Sequence, residues 1–335
     1  MHMHSRVGRA RGALLGLALG DALGMPTQSM SPSDIATHYG EITGLVDAVA
    51  AQPIAPGLPA GTITDDTEQA LLLARLLIEG DGQVDASAYG RALLVWEAGM
   101  ISRGSADLLG PSTKLALTRL AAGVPPAETG RDGVTNGAAM RVAPVGIATP
   151  PADLDRLADA VAETARVTHN TSLGLGAAVA VAAVVSAGIA GAGLAEALDL
   201  GEQGALLGAR RGRLVAGAEI GPRIRWARQW VRGIPAAELG GAIGQVIGTS
   251  VAAQESVVAA FALAEALGER PLDALLLAAN LGGDTDTIAA ICGAMLGACH
   301  GSAALPTDLT TRVIRVNALA LDPLVQGLLA LRGPA

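Results

Sequence analysis

Between Arg166 and Glu196 no side chain carries a charge. A stretch of that length must be buried on every side, in lipid or in protein, and it is long enough to span a bilayer. Its composition, "LGLGAAVAVAAVVSAGIAGAG", is mostly Ala and Gly, with little Leu, Ile or Phe to drive insertion. The segment therefore reads as a central helix buried on all sides of a soluble bundle. No membrane partner is expected.

The rest of the chain points the same way. Half of the residues are hydrophobic but only 2% are aromatic, so the interior is built from small side chains that let helices approach closely. The helical period recurs almost everywhere, whereas convincing strand alternation does not. Helices are predicted over 7–23, 66–80, 86–100, 112–122, 137–147, 153–169, 171–189, 193–210, 235–248, 252–267, 271–280, 285–299 and 308–331. Gly and Pro punctuate between them, as in "AAQPIAPGLPAG" at 50–61 and "AAGVPPAETGRDG" at 121–133. The expected fold is all-α, a compact orthogonal multi-helix bundle. A length of 335 residues permits two domains.

Charge and cysteine usage exclude some functions. Charged residues make up 16% of the chain, and the net charge of −8 has no basic block behind it. Binding of nucleic acid by phosphate neutralisation is therefore not expected, although a small anionic ligand remains compatible. Cys292 and Cys299 lie seven apart on one predicted helix. At 1.5 Å per residue that separates them by about 10 Å, too far for a disulfide, so they read as small thiols of a reducing compartment. "RARGALLGLALGDALG" has the basic start and short apolar run of a signal peptide. It lacks a convincing cleavage site, and Asp21 follows the run at once. A cytoplasmic location is expected.

Two distant clusters carry the chemistry. "TITDDT" places Thr64, Asp65, Asp66 and Thr67 directly ahead of an apolar helical run, and "GGDTDT" places Asp284, Asp286 and Thr287 ahead of another. Each alone has a structural explanation. Asp65 with Glu68 three residues later fits a capping box, and Asp284 or Asp286 can cap the helix behind it. A cap, however, needs one side-chain oxygen, and each cluster supplies two carboxylates and threonine hydroxyls. Four clustered carboxylates repel one another unless a cation sits among them. All-oxygen donors suit two hard divalent ions, Mg²⁺ or Mn²⁺. An EF-hand is excluded, because with Asp284 at position one the bidentate Glu would be Met295. Zinc is disfavoured for want of a Cys/His set. A joint site would tie both halves into a single domain over 1–335, with its motif-bearing core at about 7–300.

Five segments, in order "GALLGLALGDALG", "GTITDDTEQA", "GVTNGAAMRVAPVG", "RVTHNTSLGLGAA" and "LGGDTDTIAAICGAMLGA", together closely resemble the ADP-ribosylglycohydrolase family. That family includes the dinitrogenase-reductase-activating glycohydrolases and the ADP-ribosyl-acceptor hydrolases. The resemblance implies an all-α single domain with a dinuclear Mg²⁺ or Mn²⁺ centre in a cleft. It also implies hydrolysis of the bond joining ADP-ribose C1″ to an acceptor, with an ADP-ribosylated protein or small ADP-ribose conjugate as partner. By motif match Thr64, Asp65, Asp66, Asp284, Asp286 and Thr287 fall on metal ligands, and Asn136 and His169 on positions that line the ADP-ribose pocket.

The general chemistry agrees, since carboxylates stabilise an oxocarbenium-like transition state and a metal lowers the pKa of bound water. Asp65 or Asp66 is the candidate base. Other readings stay open at several positions. Asn136 also reads as a turn or cap, and His169 as a core histidine. Ser112 and Thr113 in "DLLGPSTKLAL" suit either a phosphate-binding helix start or a cap. Asp21 reads as ordering the neighbouring loop. Gln28 stands where the family commonly carries Glu, and Gln cannot take a proton from water. Only Tyr39, Tyr89, Trp96, Trp226, Trp230 and Phe261 are available to stack on adenine. Two alternatives follow: hydrolysis of a small ribosylated or nucleotide-derived metabolite, or a catalytically silent ADP-ribose-binding or crystallin-like protein. Retention of all six metal positions argues against the silent relative.

Overall fold

The computed structural model describes residues 2–104 and 110–333. Helices account for 69% of the chain, and no strand occurs among the described residues. The charge-free segment forms the helix Ser172–Ala190, which begins where Thr171 accepts a hydrogen bond from Gly174 N and ends at Gly191 in the left-handed region. It is long and apolar enough to cross a membrane, yet protein encloses it from Ser172 to Ile189. Gly201, Gly204 and Gly208 of the next helix, Leu194–Ala209, bring its backbone against Val184, Val179 and Leu175.

A second close pairing builds the active end. The helix His2–Gly24 runs antiparallel to Thr285–His300, with Gly12 against Gly297, Gly16 against Gly293, Gly20 against Ala289 and Gly24 against Asp286. A methyl group on any of these four glycines of the first helix would lie 2.1–2.4 Å from the opposing backbone. Backbone contact of this kind needs glycine, and its every-fourth-residue spacing keeps one face of the helix bare. The stripe ends at Asp286, so the packing that joins the two ends of the chain also sets the position of a candidate ligand.

One apolar core runs from Ala10 to Leu328. The C-terminal helices Thr307–Val316 and Leu321–Arg332 belong to it, packing on the N-terminal helix. The expected continuous helix over 308–331 is bent by 98° between these two pieces. At the bend Ala318 has a φ of 50°, and Asn317 donates to Gly61 O and Val313 O. The expected 137–147 helix is likewise two, Gly137–Met140 and Ala143–Ala148. Pro144 lacks the N–H and crowds the carbonyl of Met140, which ends the first piece. Two helices of two turns or more were not anticipated: Pro32–Tyr39, capped by a Ser31–Asp34 box, and Ile220–Val231. The second carries an apolar stripe at Ile220, Ile224, Ala227 and Val231 that its three arginines obscure in composition.

Candidate metal and substrate site

The two Asp/Thr clusters meet. Thr287 Oγ1 donates to Asp66 Oδ2 at 3.3 Å across 221 positions, and Thr64 Oγ1 lies at the same distance from that oxygen. Neither cluster caps its own helix. In Asp65–Glu79 the flanking Thr64 makes no side-chain cap bond, and in Thr285–His300 the flanking Asp284 makes none. The capping-box reading of Asp65 and Glu68 therefore fails. Glu68 instead accepts from Trp96 Nε1 at 2.7 Å and from Arg103 at 2.9 Å.

Capping of the first cluster falls to Asp21, from the N-terminal helix. Its carboxylate accepts from the N–H and hydroxyl of both Thr64 and Thr67. Asp21, expected to order the neighbouring loop, orders instead a helix start 43 positions away. Asp65 and Asp66 are thereby released from capping.

The second cluster is aimed by its glycine pair. Gly282 and Gly283 have φ of 75° and 77°, a conformation that side chains strain. A Cβ on Gly283 would meet Thr249 O at 2.4 Å. The turn is clamped by Gly283 N to Met30 O, Ser29 N to Gly283 O and Asp284 N to Thr249 O, which brings Gln28 beside Asp284. Gln28 itself is held by its backbone carbonyl, which accepts from Gln52 Nε2 in the Pro-rich loop.

These elements enclose a cavity of about 200 Å³. Asp65, Asp284, Asp286 and Thr287 line it, with Gln28, Thr113, Thr135 and Asn136. Thr64 and Asp66 are buried behind that wall, so of the two candidate bases Asp65 is the one that faces the cavity. Asn136 donates to Asp284 and, at 2.8 Å, to Ser256 Oγ. Ser112 is buried beside Thr113 without lining the cavity, while Asp107–Leu109 of the same motif lie outside the described residues. His169 is fully buried one layer behind, its Nε2 2.9 Å from Thr135 Oγ1. None of the six aromatic residues lines the cavity. Tyr89 and Phe261 are core, and Trp226 and Trp230 stack on each other at 5.4 Å.

Burial pushes every carboxyl here upward. Asp21 and Asp284 rise to about 6, while Asp65, Asp66 and Asp286 lie well above the usual range, raised further by the neighbouring negative charges. Such a group either takes protons or holds a cation. Among the described residues two carboxylate oxygens, Asp66 Oδ1 and Asp286 Oδ1, find no hydrogen-bond partner, and neither does Gln28 Nε2. Orphaned acceptors among hard oxygen donors fit a divalent ion of the Mg²⁺ type. Among the described residues no three Asp, Glu, His or Cys side chains close into a ready-made cage. The donors are gathered at one place, with threonine hydroxyls among them, rather than wrapped round a point.

Sequence reasoning missed Thr135 in the cavity wall and two participants behind it. Gln69 donates to Asp65 Oδ2 at 3.1 Å, and Arg141, 1% exposed, donates to Gln69 Oε1 at 2.8 Å. Both stand within segments already noted, but only the fold places them behind the carboxylates.

The chain matches the profile described as ADP-ribosylglycohydrolase over residues 3–334. It is 36% identical to YegU, an uncharacterized protein of Escherichia coli (strain K12), over 93% of each chain. It is 30% identical to the ADP-ribosylarginine hydrolase Tri1 of Pseudomonas putida (strain GB-1), over 91% of this chain and 74% of that protein. A solved ADP-ribosylglycohydrolase-related protein complex matches with a TM-score of 0.72 and 28% identity, covering 99% of this chain and all of that one.

Proposed function

The chain belongs to the ADP-ribosylglycohydrolase family of glycosyl hydrolases, and from that premise we propose that it hydrolyses the N-glycosidic bond between C1″ of ADP-ribose and an arginine-type acceptor, using two Mg²⁺ or Mn²⁺ ions. Two helix starts from distant parts of the chain, neither capped by its own aspartate, bring three carboxylates to one cavity with Asp66 buried behind them, and that convergence supports the reading. Thr64, Asp65, Asp66, Asp284, Asp286 and Thr287 would hold the ions. When bound, the ions supply Lewis acidity that grips ribose hydroxyls and acidifies water.

The chain's own residues do the rest. Gln69 pins Asp65 Oδ2, which leaves the other Asp65 oxygen to take a proton from the attacking water. The remaining carboxylates stabilise positive charge developing at C1″. Asn136 holds Asp284 in place. Gln28 can donate to substrate but cannot act as base.

Substrate size favours a second reading. A cavity of about 200 Å³ without an aromatic wall suits a ribosyl group better than a whole dinucleotide, so a small ribosylated metabolite is the alternative substrate. The test is release of ADP-ribose from ADP-ribosyl-arginine, with other ribosyl conjugates in parallel, under Mg²⁺, Mn²⁺ or EDTA. Metal-dependent release is expected, and Asp284→Asn should lose one ion and almost all turnover. Absence of release from every conjugate, or full turnover of Asp284→Asn with both ions bound, refutes the proposal.

A further inference from the structure

Among the described residues Arg141 is a buried cation without a carboxylate partner. It sits at the break between Gly137–Met140 and Ala143–Ala148, with its guanidinium 5.4 Å over the Tyr89 ring centroid. Taking such a charge out of water costs several kcal/mol, so its hydrogen bonds matter. One arm ends on Gln69 Oε1 and the other on Thr168 Oγ1.

We propose that Arg141 is a positioning residue that sets hydrogen-bond direction in the cavity from behind, presenting Asp65 as an acceptor and Thr135 as a hydroxyl donor to a substrate oxygen. The inference rests on the function proposed above for what the cavity binds, but not for the direction of the bonds.

The direction follows from donor counting. Arg has no acceptor, so Gln69 must turn Oε1 toward it and Nε2 toward Asp65 Oδ2, 3.1 Å away. In the other arm Thr168 Oγ1 accepts from Arg141, and its single proton has two destinations. Ala165 O lies at 3.4 Å and His169 Nδ1 at 2.8 Å. The shorter bond is the stronger, and the adjacent guanidinium opposes a proton on Nδ1. His169 is kept neutral, its pKa held well below the usual value by burial and by Arg141. Its one ring proton is then on Nε2 and is donated to Thr135 Oγ1 at 2.9 Å. Thr135 lines the cavity, and its hydroxyl has no other partner among the described residues. Its proton is free for substrate. His169 acts through Thr135 and does not touch the cavity itself.

Glycines let the backbone pack closely on the ring. A Cβ on Gly137 would lie 2.9 Å from His169 Cε1, and one on Gly174 would lie 3.0 Å from His169 Cβ. The substrate atom served is an acceptor oxygen, either of the pyrophosphate or of a ribose hydroxyl. Comparing ADP-ribosyl-arginine with ribosyl-arginine separates the two sources, because only the first carries phosphate.

The test has a spectroscopic and a kinetic arm, both on the full chain. Long-range ¹H–¹⁵N spectra, with His169→Asn to identify the ring signals among the five histidines, should show a protonated Nε2 and a bare Nδ1. In Arg141→Met that preference should be lost, and if this variant does not fold, Thr168→Val interrupts the same arm. With ADP-ribosyl-arginine, Thr135→Val should raise KM about three- to tenfold while kcat changes less, and Thr135→Ser should restore it. A proton on Nδ1 in the unaltered protein, a tautomer indifferent to both variants, or an unchanged KM in Thr135→Val overturns the proposal. If the unaltered protein releases no ADP-ribose, the proposed function fails while the tautomer measurement still decides the relay.

Discussion

Replacing Gly24 with alanine should damage activity far more than stability. In an exposed helix interior Gly→Ala normally stabilises by about 1 kcal/mol. Here the new Cβ would lie 2.4 Å from Asp286 N, Asp286 Cα and Thr285 O, all backbone atoms that cannot swing aside. Restoring ordinary van der Waals contact needs a retreat of about 1 Å by the start of Thr285–His300. Overpacking of this kind costs about 1–3 kcal/mol, which for a domain of this size lowers Tm by a few degrees. The same shift carries Asp286 with it, and a misplacement of about 1 Å is worth on the order of 100-fold in rate. Gly12→Ala provides the control. Its Cβ would meet Gly297 O at 2.3 Å, an equal clash, but twelve residues or about 18 Å along the helix from Gly24. Calorimetric Tm and kcat for metal-dependent ADP-ribose release should therefore separate the pair: similar losses in Tm, with the loss in kcat confined to Gly24→Ala. Gly8→Ala, with nothing within 4 Å, should leave both unchanged. Equal rate losses in Gly12→Ala and Gly24→Ala, or wild-type kcat in Gly24→Ala, would show that the glycine stripe does not set the carboxylate geometry.

Asp21→Asn keeps the shape but halves the acceptor capacity facing Thr64 and Thr67, so Mn²⁺ affinity, followed by titration calorimetry, should fall about 10- to 100-fold. Arg332→Ala removes the guanidinium that bonds the carbonyls of Gly146, Ile147, Thr149 and Ser186, leaving Thr149 O only its bond from Ser186 Oγ, and should cost about 3 kcal/mol or more in denaturant unfolding without altering KM. Burial pushes the thiols of Cys292 and Cys299 up to about 12, so native protein should resist iodoacetamide at pH 8 and react only on unfolding. The same shift makes stability fall as pH rises from about 9, where unfolded thiols ionise, toward 12.

The sequence made some of this legible because the information was local. Helix period, the charge-free run and the two Asp/Thr clusters are patterns within short windows, and the structure has helices in each place. The breaks at Arg141 and Asn317 were harder. Pro144 signals the first, and Pro323, which cannot donate back to Leu319, signals a break near the second; the bend itself is held by Gly61, 256 positions away. Partner choice was the least legible. Asp65 with Glu68 fits a capping box as well as any sequence can, and it forms none, because Asp21 reaches the helix start first and Glu68 finds Trp96 and Arg103. Composition could nevertheless have hinted at this. A chain with 16% charged residues that buries Asp21, Asp65, Asp66, Asp286 and Arg141 is not using them for solubility. Each buried charge must be answered by another group. Arg141 answers through neutral intermediates, Gln69 on one side and Thr168 with His169 on the other. A neutral link transmits direction rather than charge: it fixes which atom donates and which accepts while leaving the carboxylates their full negative charge. That charge is what a cation at the cavity needs, and a direct Arg141–Asp65 ion pair would have consumed it.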